Sequence, residues 1–252
     1  MRGKKRAVAC LLSALLCFSS CVFPGPGGID PSVEGLASRW TKEEEKIVVF
    51  SNGEHDGFWA RNDKGNGLPF NCSFAKENAV IANGTLSLWL TKTEKGYAGA
   101  EYRSQQRHGY GFYAVRMKAI KCPGVISSFF TYTYWPWWDE IDIEFLGEDT
   151  TKIQFNYYTK GQGGHEYVYK LGFDGADDFH EYAFDWQKDS ITWYVDGAPV
   201  YRATKDIPSA QGQVMMNVWN VADSNKEWAG AFEDKNLPLS AQYEWIAVSH
   251  NE

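Results

Sequence analysis

Alternating polar and apolar positions dominate the chain from about residue 40 onward. The alternating stretches are short, turns rich in Gly, Asn and Asp separate them, and no long stretch has apolar residues at helical spacing. Because a strand sends successive side chains to opposite faces, each stretch predicts a strand with one buried face. The predicted strands are Thr85–Thr91, Gly111–Ala119, Val125–Tyr134, Ile141–Leu146, Lys152–Thr159, His180–Trp186, Ser190–Val195, Gln213–Val218 and Gln242–Val248.

The turns support the same fold class. Asn83-Gly84 and Asp196-Gly197 are typical of two-residue β-hairpins, whereas a helical turn is favoured at Lys42–Lys46. A chain of 252 residues is long enough for one large domain with a well-buried core. We therefore predict an all-β protein, a β-sandwich of jelly-roll type with two antiparallel sheets.

In the segment 138–146, the alternation groups acidic side chains. It reads Trp-Asp-Glu-Ile-Asp-Ile-Glu-Phe-Leu, so Glu140, Asp142 and Glu144 share one face of a strand while apolar side chains fill the other. Like charges at close range raise one another's pKa, which makes such a row costly to fold. The row therefore predicts an enzyme. A Ca²⁺ site is the rival interpretation, but calcium loops wrap their ligands around the ion rather than lay them in a row.

The spacing along the row indicates which of the three acids take part in the reaction. Retaining glycoside hydrolysis needs two carboxyl groups about 5–5.5 Å apart, one to attack the anomeric carbon and one to protonate the leaving oxygen. The Cα atoms of Glu140 and Glu144 lie roughly 13 Å apart on a strand, a gap that two inward-leaning Glu side chains close. Asp142 starts about 6.6 Å from either, which suits a hydrogen-bonded neighbour. Glu140 and Glu144 are therefore the predicted reactive pair.

Other strands carry polar and aromatic side chains on a common face. This mixture predicts a wet, concave sheet face, whereas an ordinary solvated face usually has more Lys, Thr and Glu. The pairs that share a face are Glu101 with Arg103, Phe130 with Tyr132, Asn156 with Tyr158, and Asn217 with Trp219.

Composition and charge narrow the class of ligand. Aromatic residues make up 16% of the chain, with 11 Trp and 14 Tyr, which suits a cleft where rings stack on sugar faces. The formal net charge is -7, so the basic face that a nucleic-acid partner requires is not expected. A negative field also repels acidic polysaccharides and favours a neutral one.

The N-terminus has the features of an export signal. Four basic side chains precede an apolar run, Ala7–Phe18, that is too short to span a bilayer. Cys21 follows Phe-Ser-Ser, which approximates a bacterial lipobox and leaves lipid anchoring and free secretion open. We assign residues 1–21 to the signal, 22–40 to a Pro/Gly-rich tether and 41–252 to the catalytic domain. The mature chain then has 21 basic and 32 acidic side chains.

The cysteines indicate neither a metal site nor a required disulfide. Only Cys72 and Cys122 lie in the domain, and we expect them to be unpaired, although export permits a disulfide. No Cys/His cluster has zinc spacing, so we expect no cofactor for catalysis. Asn71-Cys72-Ser73 and Asn83-Gly84-Thr85 match glycosylation sequons, but the bacterial-looking signal argues against modification.

Taken together, these motifs resemble family-sixteen glycoside hydrolases and, within them, the bacterial lichenases, which are endo-β-1,3-1,4-glucanases. The resemblance spans most of residues 50–248. Its motifs are Trp-Asp-Glu-Ile-Asp-Ile-Glu-Phe-Leu-Gly at 138–147, Phe-Asn-Cys at 70–72, Glu-Tyr-Arg-Ser at 101–104, Ser-Ser-Phe-Phe-Thr-Tyr-Thr at 127–133, Gln-Phe-Asn-Tyr-Tyr at 154–158, Trp-Tyr-Val-Asp-Gly at 193–197 and Met-Met-Asn at 215–217.

The resemblance implies a curved jelly roll with a concave substrate cleft and a retaining mechanism that cleaves β-1,4 bonds in mixed-linkage glucan. It implies Glu140 as nucleophile, Asp142 as its assistant and Glu144 as acid/base. It also implies a structural Ca²⁺ at Val49, Gly84 and Glu244, where Glu replaces the usual Asp. We expect a monomer that binds β-glucan. The implied substrate-binding residues are Asn66, Glu101, Arg103, Phe130, Tyr132, Trp138, Asn156, Tyr158, Asn217, Trp219 and Trp228.

Three positions depart from the lichenase pattern. The usual disulfide partner of Cys72 is replaced by Gly99, so that bond cannot form. The segment 134–137, Tyr-Trp-Pro-Trp, which we call the Trp-rich loop, is shorter and richer in Trp than usual. Lys64 stands where a cleft Tyr is common. These departures concern fine specificity rather than mechanism.

Several functions remain as alternatives to a mixed-linkage glucanase. A laminarinase or a xyloglucan hydrolase or transglycosylase is a related activity, although many laminarinases have one extra residue in the acidic motif. A non-catalytic glycan-binding module retains an aromatic cleft but does not need both Glu140 and Glu144. A structural coat protein fits least well.

Overall fold

We describe a computed structural model of the chain, which covers residues 30–39, 46–50, 57–134 and 136–250. It confirms the predicted all-β architecture. The strands are β1 (Lys46–Val49), β2 (Phe58–Ala60), β3 (Ser73–Phe74), β4 (Ala79–Ala82), β5 (Thr85–Thr93), β6 (Gly96–His108), β7 (Gly111–Lys118), β8 (Val125–Tyr132), β9 (Glu140–Leu146), β10 (Lys152–Tyr158), β11 (Tyr167–Lys170), β12 (His180–Trp186), β13 (Ile191–Val195), β14 (Ala198–Ala203), β15 (Gly212–Asn220) and β16 (Leu239–His250).

Helical structure is confined to short pieces. The described residues include one α-helical turn, α1 (Lys226–Ala229), and 3₁₀ turns at Pro31–Val33, Lys76–Asn78, Asp223–Asn225 and Asp234–Asn236. None of the described helices is long and apolar enough to cross a membrane. The helical turn expected at Lys42–Lys46 lies largely outside the described residues.

The strands form two layers joined through the pairing of β5 with β6. One layer has the order β11-β10-β9-β8-β15-β6, with β2 added beside β6. The other runs β5-β16-β7-β12-β13-β14, with β4 beside β5 and β1 beside β16. The main strands pair antiparallel, as expected for a jelly-roll sandwich. Strand β9 thus lies inside its layer, with β8 and β10 fixing its register on both sides.

The inner faces of the two layers pack into one hydrophobic core. Phe129 on β8 lies 6.1 Å from Phe184 on β12, measured between ring centroids. Phe155 on β10 stacks on Trp193 of β13 at 5.6 Å. The Trp193 indole also donates a hydrogen bond of 3.2 Å to the backbone carbonyl of Asp142. The second layer therefore supports the acidic strand directly from below.

Both predicted hairpins are present. Asn83 and Gly84 join β4 to β5 with φ of 51° and 80°, while Asp196 and Gly197 join β13 to β14 with φ of 46° and 76°. Positive φ at both central residues matches the right-handed twist of the flanking strands. The turn residues therefore predicted both hairpins correctly.

The strand boundaries differ from prediction at one functional position. Strand β8 ends at Tyr132, so Tyr134 belongs to the Trp-rich loop and not to a strand. The long strand β6 was not among the predicted strands, because its sequence contains two glycines and a polar run at residues 104–107. It forms because β5, β15 and β2 all pair with it.

Part of the predicted tether at 22–40 lies within the described residues. Residues 30–39 lie against the domain: Tyr167 donates a hydrogen bond of 2.7 Å to Asp30, and Arg202 N donates one of 2.9 Å to Ser32 Oγ. Arg39 forms an ion pair of 3.2 Å with Asp185. Tyr167 belongs to the first layer, whereas Arg202 and Asp185 belong to the second, so these polar contacts tie the segment to both layers.

The two domain cysteines are unpaired within residues 30–250, as predicted. Burial raises the pKa of the Cys72 thiol to about 11, which keeps it protonated and unreactive. An ideal Cβ at Gly99 would lie 3.0 Å from Cys72 Sγ and 2.3 Å from the carbonyl oxygen of Val218. A glycine is therefore needed where β6 passes close to β15.

Candidate active site

The three carboxylates of β9 share one face, as the alternation predicted. Ile141, Ile143 and Phe145 on the other face are fully buried in the core between the layers. The register is strict because a slip of one residue would bury the acids and expose the apolar side chains. The core thus fixes the direction in which Glu140, Asp142 and Glu144 point.

Hydrogen bonds hold each end of the row. The Trp138 indole donates to Glu140 Oε2 at 2.9 Å, and Gln154 Nε2 donates to Glu144 Oε2 at 2.9 Å. Asp142 shares a hydrogen bond with Glu140. The structure therefore places Asp142 beside Glu140, where the spacing argument expected a hydrogen-bonded neighbour.

Burial dominates the electrostatics of the row. Desolvation raises the pKa of Glu140 to about 8 and that of Glu144 to about 7, and the negative charge of Glu144 adds to the rise at Glu140. Desolvation followed by the charge of Glu140 raises the pKa of Asp142 well above its usual range. Because the three groups interact, their protons leave in steps that belong to the set. The cluster therefore holds a transferable proton near neutral pH.

These carboxylates lie in a cavity of about 470 Å³. Its floor crosses β9, β8, β15 and β6, a width of three strand spacings or roughly 14 Å. Aromatic side chains and a few polar groups line it, as is usual for ligand sites. The lining residues are Arg61, Asn66, Leu68, Pro69, Phe70, Glu101, Ser128, Phe130, Tyr132, Tyr134, Trp138, Glu140, Asp142, Glu144, Met215, Asn217 and Trp219.

The centre of the floor is an ordered polar network. Ser128 Oγ donates a hydrogen bond of 2.6 Å to Asn217 Oδ1. In register, Ser128 pairs with Glu144 on one side and with Asn217 on the other, so this network begins beside the acid row. Arg61 Nη1 reaches Glu101 Oε2 at 3.4 Å on the β6 side. Polar groups on the floor thus line up across the strands.

Stacked rings close the cavity at the Glu144 end. Phe70 stacks on Trp219 with centroids 3.9 Å apart, and Trp228 lies 6.0 Å from Trp219. The Trp228 indole donates a hydrogen bond of 3.3 Å to Gln154 Oε1, and Gln154 in turn holds Glu144. Trp228 is therefore connected to the acid row through a single side chain.

At the Glu140 end, the backbone is unusual. Trp138 has φ of 37°, stacks on Tyr158 with centroids 5.5 Å apart, and accepts a backbone hydrogen bond of 2.9 Å from Gly161. A positive φ is costly for a bulky aromatic residue. That backbone conformation accompanies the hydrogen bond from the indole to Glu140.

The next residue anchors this end of the strand. Asp139 is buried, and its carboxylate accepts backbone hydrogen bonds from Lys160 at 2.7 Å and from Ser209 and Ala210 at 2.8 Å each. One side chain thus ties the start of β9 to two neighbouring loops.

Seven predicted substrate-binding residues line the cavity, and the other four are not among its lining residues in the described part of the chain. Tyr158 and Trp228 contact lining rings, as described above. Asn156 is buried beside Asp142 in register and accepts a hydrogen bond from Tyr157 N at 2.8 Å. Arg103 is also buried, and Trp59 and Tyr134 cover its guanidinium. Neither Asn156 nor Arg103 lines the cavity itself.

The structure also adds lining residues that the sequence reasoning missed. Ser128 and Met215 follow the alternation of Phe130 and Asn217, so strand parity was a sufficient signal for both. The segment 68–70 carries no such signal, because its place in the cavity depends on a loop folding back over β15.

The residues predicted to bind calcium lie on or next to neighbouring strands, because β1 and β5 both pair with β16. Val49 pairs with Trp245, and Leu86, two residues after Gly84, pairs with Tyr243. Glu244 lies between those partners, but its Oε2 accepts a bond of 2.6 Å from Arg116 Nε. A guanidinium on the carboxylate does not fit a cation at the same oxygen. Calcium binding here stays a prediction.

No group of three or more His, Cys, Asp or Glu among the described residues is arranged to hold a metal ion.

Three carboxyl groups with raised pKa values form a row on the concave face of a jelly roll, and aromatic rings flank them. This arrangement defines a glycoside hydrolase. A family model, glycosyl hydrolases family 16, matches residues 66–246. This chain therefore belongs to family 16 of the glycosyl hydrolases.

Similar proteins agree with that assignment. A β-glucanase of Paenibacillus macerans is 50% identical over 199 residues, which cover 77% of this chain and 83% of that protein. A β-glucanase of Acetivibrio thermocellus is 42% identical over 255 residues, covering 98% of this chain and 73% of that protein. A solved prokaryotic β-1,3-1,4-glucanase (lichenase) from a mouse hindgut metagenome is 47% identical with a TM-score of 0.77, covering 81% of this chain and 98% of that one.

Proposed function

We propose that the protein is an endo-acting, retaining hydrolase that cleaves β-1,4 bonds in mixed-linkage β-1,3-1,4-glucan. The observation that carries the proposal is the row of Glu140, Asp142 and Glu144 on the cavity floor, with Asp142 hydrogen-bonded to Glu140. The named activities of the similar β-glucanases and of the lichenase structure support the substrate class. A floor that crosses four strands suits a polymer that extends over several sugar units.

In the first half of the reaction, Glu140 attacks the anomeric carbon and forms a glycosyl ester. The bond from that carbon to the glycosidic oxygen breaks, and Glu144 gives its proton to the departing oxygen. The indole N–H of Trp138 stabilises the ionised form of Glu140, which favours attack.

In the second half, Glu144 is ionised and takes a proton from water. The resulting hydroxide attacks the same carbon from the opposite side, breaks the ester and restores the carboxylate of Glu140. Two displacements return the anomeric carbon to its starting configuration, and Glu144 regains its proton. The hydrogen bond shared with Asp142 acts to lower the pKa of Glu140, so Asp142 favours the ionised Glu140 that attacks and is later restored.

Product analysis on four polysaccharides tests the substrate class. We expect the protein to release short oligosaccharides from barley β-glucan and to leave laminarin, xyloglucan and carboxymethylcellulose largely intact. Faster release from laminarin or xyloglucan would replace the proposed specificity by that of a related β-glucanase. Binding without release from all four would favour a glycan-binding module.

We also propose that the protein is exported and acts outside the cytoplasm. The basic and apolar pattern of residues 1–21 supports export, and Cys21 supports a lipid anchor, but both lie outside the described residues. Intact mass of the mature protein tests this: a diacylglyceryl mass on Cys21 means an anchor, an unmodified cleaved N-terminus means secretion, and an uncleaved chain contradicts export.

A further inference from the structure

Arg103, which was predicted to bind substrate, already donates to protein partners through two of its three guanidinium nitrogens. Its side chain is 6% exposed, and its Nη2 donates to Glu101 Oε1. Its Nη1 donates to the hydroxyl oxygen of Tyr134 in the Trp-rich loop. The Trp59 ring lies 4.8 Å from the guanidinium carbon and the Tyr134 ring 5.9 Å from it. A sugar in the cavity therefore meets Tyr134 before it meets Arg103.

The ring of Tyr134 is held in place rather than free to turn away. Besides the bond from Arg103, it meets the ring of Tyr132 edge-on, with centroids 4.9 Å apart and planes at 89°. Edge-to-face contact and a cation beside the ring each favour a fixed orientation. The ring remains 39% exposed and lines the cavity. It is thus a fixed, accessible aromatic surface.

The position of this surface sets which part of a glucan it meets. Arg103 lies on β6 and pairs in register with Trp59 on one side and Met215 on the other. Strand β6 is three strands from β9, roughly 14 Å at the usual strand spacing. Tyr134 extends from the end of β8 toward Arg103, so it lies away from the Glu140–Glu144 pair. It faces sugar units beyond the cleavage site.

We propose that Tyr134 is a substrate-contacting residue that stacks on a glucosyl unit distal to the cleaved bond, and that Arg103 is a positioning residue acting through it. The proposal rests on the proposed glucanase function and deepens it. An aromatic ring offers apolar area with little conformational entropy to lose, and its hydroxyl is already satisfied by Arg103. Tyr134 therefore contributes affinity for long chains without taking part in bond cleavage.

The first test measures binding and turnover for mixed-linkage oligosaccharides of increasing length. For Tyr134→Ala we expect KM on β-glucan to rise about tenfold, the value of one aromatic contact, while kcat stays near that of the wild type. Affinity measured by calorimetry in a Glu140→Gln background should fall for long oligosaccharides and stay unchanged for those too short to reach Tyr134. An unchanged KM, or an equal loss at every length, would overturn the proposal.

Matched variants separate the ring, its hydroxyl and its support. Tyr134→Phe keeps the ring, so most of the affinity should remain. Arg103→Lys keeps the charge but loses the planar fork, so it should reproduce part of the length-dependent loss. A fall in kcat for Arg103→Lys that does not depend on substrate length would contradict the positioning role. Trp137→Ala is the control, because within the described residues Trp137 does not line the cavity although it is 55% exposed.

The same data distinguish failure of this inference from failure of the proposed function. If wild-type protein releases nothing from β-glucan, the glucanase function itself is wrong. If the wild type is active and Tyr134→Ala matches it at every oligosaccharide length, only the distal contact is wrong. Circular dichroism and a melting temperature for each variant confirm that the comparison is made between folded proteins.

Discussion

Strand β9 and the Trp-rich loop are consecutive in the chain but are held in different ways. The acids of β9 are fixed by pairing with β8 and β10 along the strand and by a fully buried opposite face. Tyr134, in the loop, is placed by side-chain contacts with Arg103 and Tyr132. Backbone register therefore orients the reacting groups, whereas individual side chains orient the surface that meets the distal substrate.

This difference has a functional consequence. Catalysis requires carboxyl groups at a set spacing, and a strand inside a sheet provides that rigidity. Substrate choice changes more readily when it depends on a loop, because a loop tolerates insertions, deletions and substitutions. We therefore expect variants of β9 to change turnover and variants of the loop to change affinity and specificity.

The largest effect is expected on the β9 side of the comparison. Glu140→Gln and Glu144→Gln should each lower kcat on β-glucan by about 10³-fold or more, because each removes a group that exchanges a bond or a proton with the substrate. The measurement is reducing-sugar release at saturating substrate. Glu148→Gln is the control, since Glu148 follows the same strand but is exposed. Turnover near that of the wild type in either active-site variant would contradict the assignment.

Asp139 lies at the junction between the Trp-rich loop and β9. Replacing it tests how much its hydrogen bonds stabilise that junction. Removing its carboxylate in Asp139→Ala leaves three backbone N–H groups unpaired, at Lys160, Ser209 and Ala210. We expect the free energy of unfolding, measured in urea, to fall by about 2–4 kcal/mol. Asp139→Asn keeps an acceptor oxygen and should lose less. Equal stability of the Ala variant and the wild type would show that these bonds do not anchor β9.

A smaller effect is expected on stability as the pH changes. The folded-state pKa values of Glu140 and Glu144 are raised to about 8 and 7, so folding takes up protons between about pH 4.5 and those values. Stability contributed by these groups is therefore present at low pH and is lost as the pH rises through that window. Replacing either by Gln should raise the free energy of unfolding at pH 8 by about 1–3 kcal/mol and change it little at pH 4.

The control for that experiment is again Glu148→Gln, which should behave alike at both pH values. If a Gln variant were less stable than the wild type at pH 8, the ionised carboxyl groups would not destabilise the fold. The three acids on one strand could then be explained by stability rather than by function.

The smallest effect concerns a region far from both strand and loop, the Arg116–Glu244 ion pair. A partly exposed pair of this kind is worth about 0–1 kcal/mol. If Ca²⁺ uses Glu244, it must displace the guanidinium, so calcium should raise the melting temperature of Arg116→Gln more than that of the wild type. An equal or larger rise in the wild type would show that the ion pair does not compete with calcium.

The two regions also differ in how far their structure followed from sequence. The alternation in residues 138–146 predicted β9, its buried face and the grouping of the acids. The same reasoning predicted the faces of Phe130 and Asn217 correctly. It placed Glu101 and Arg103 on one strand face but did not predict the full strand β6. Gly96, Gly99 and the polar run at 104–107 interrupt the alternation, and β6 forms because three other strands pair with it.

The loop contacts were beyond local patterns altogether. Tyr134 was predicted as the end of a strand, yet it lies past the end of β8 and meets Arg103, which is 31 residues earlier in the chain. Arg103 was expected to contact sugar because the family resemblance implied that role. Its burial depends on Trp59 and Tyr134, whose approach from other elements no periodicity reveals.

Azide rescue distinguishes the roles of Glu140 and Glu144 in the double displacement. The experiment uses the Glu140→Ala variant with an activated β-glycoside of a short glucan, and NMR gives the anomeric configuration of the glycosyl azide. We expect an α-azide, because azide enters from the face that Glu140 vacated, and we expect a β-azide from Glu144→Ala. A β-azide from Glu140→Ala would contradict the assignment of Glu140 as nucleophile and make it the acid/base.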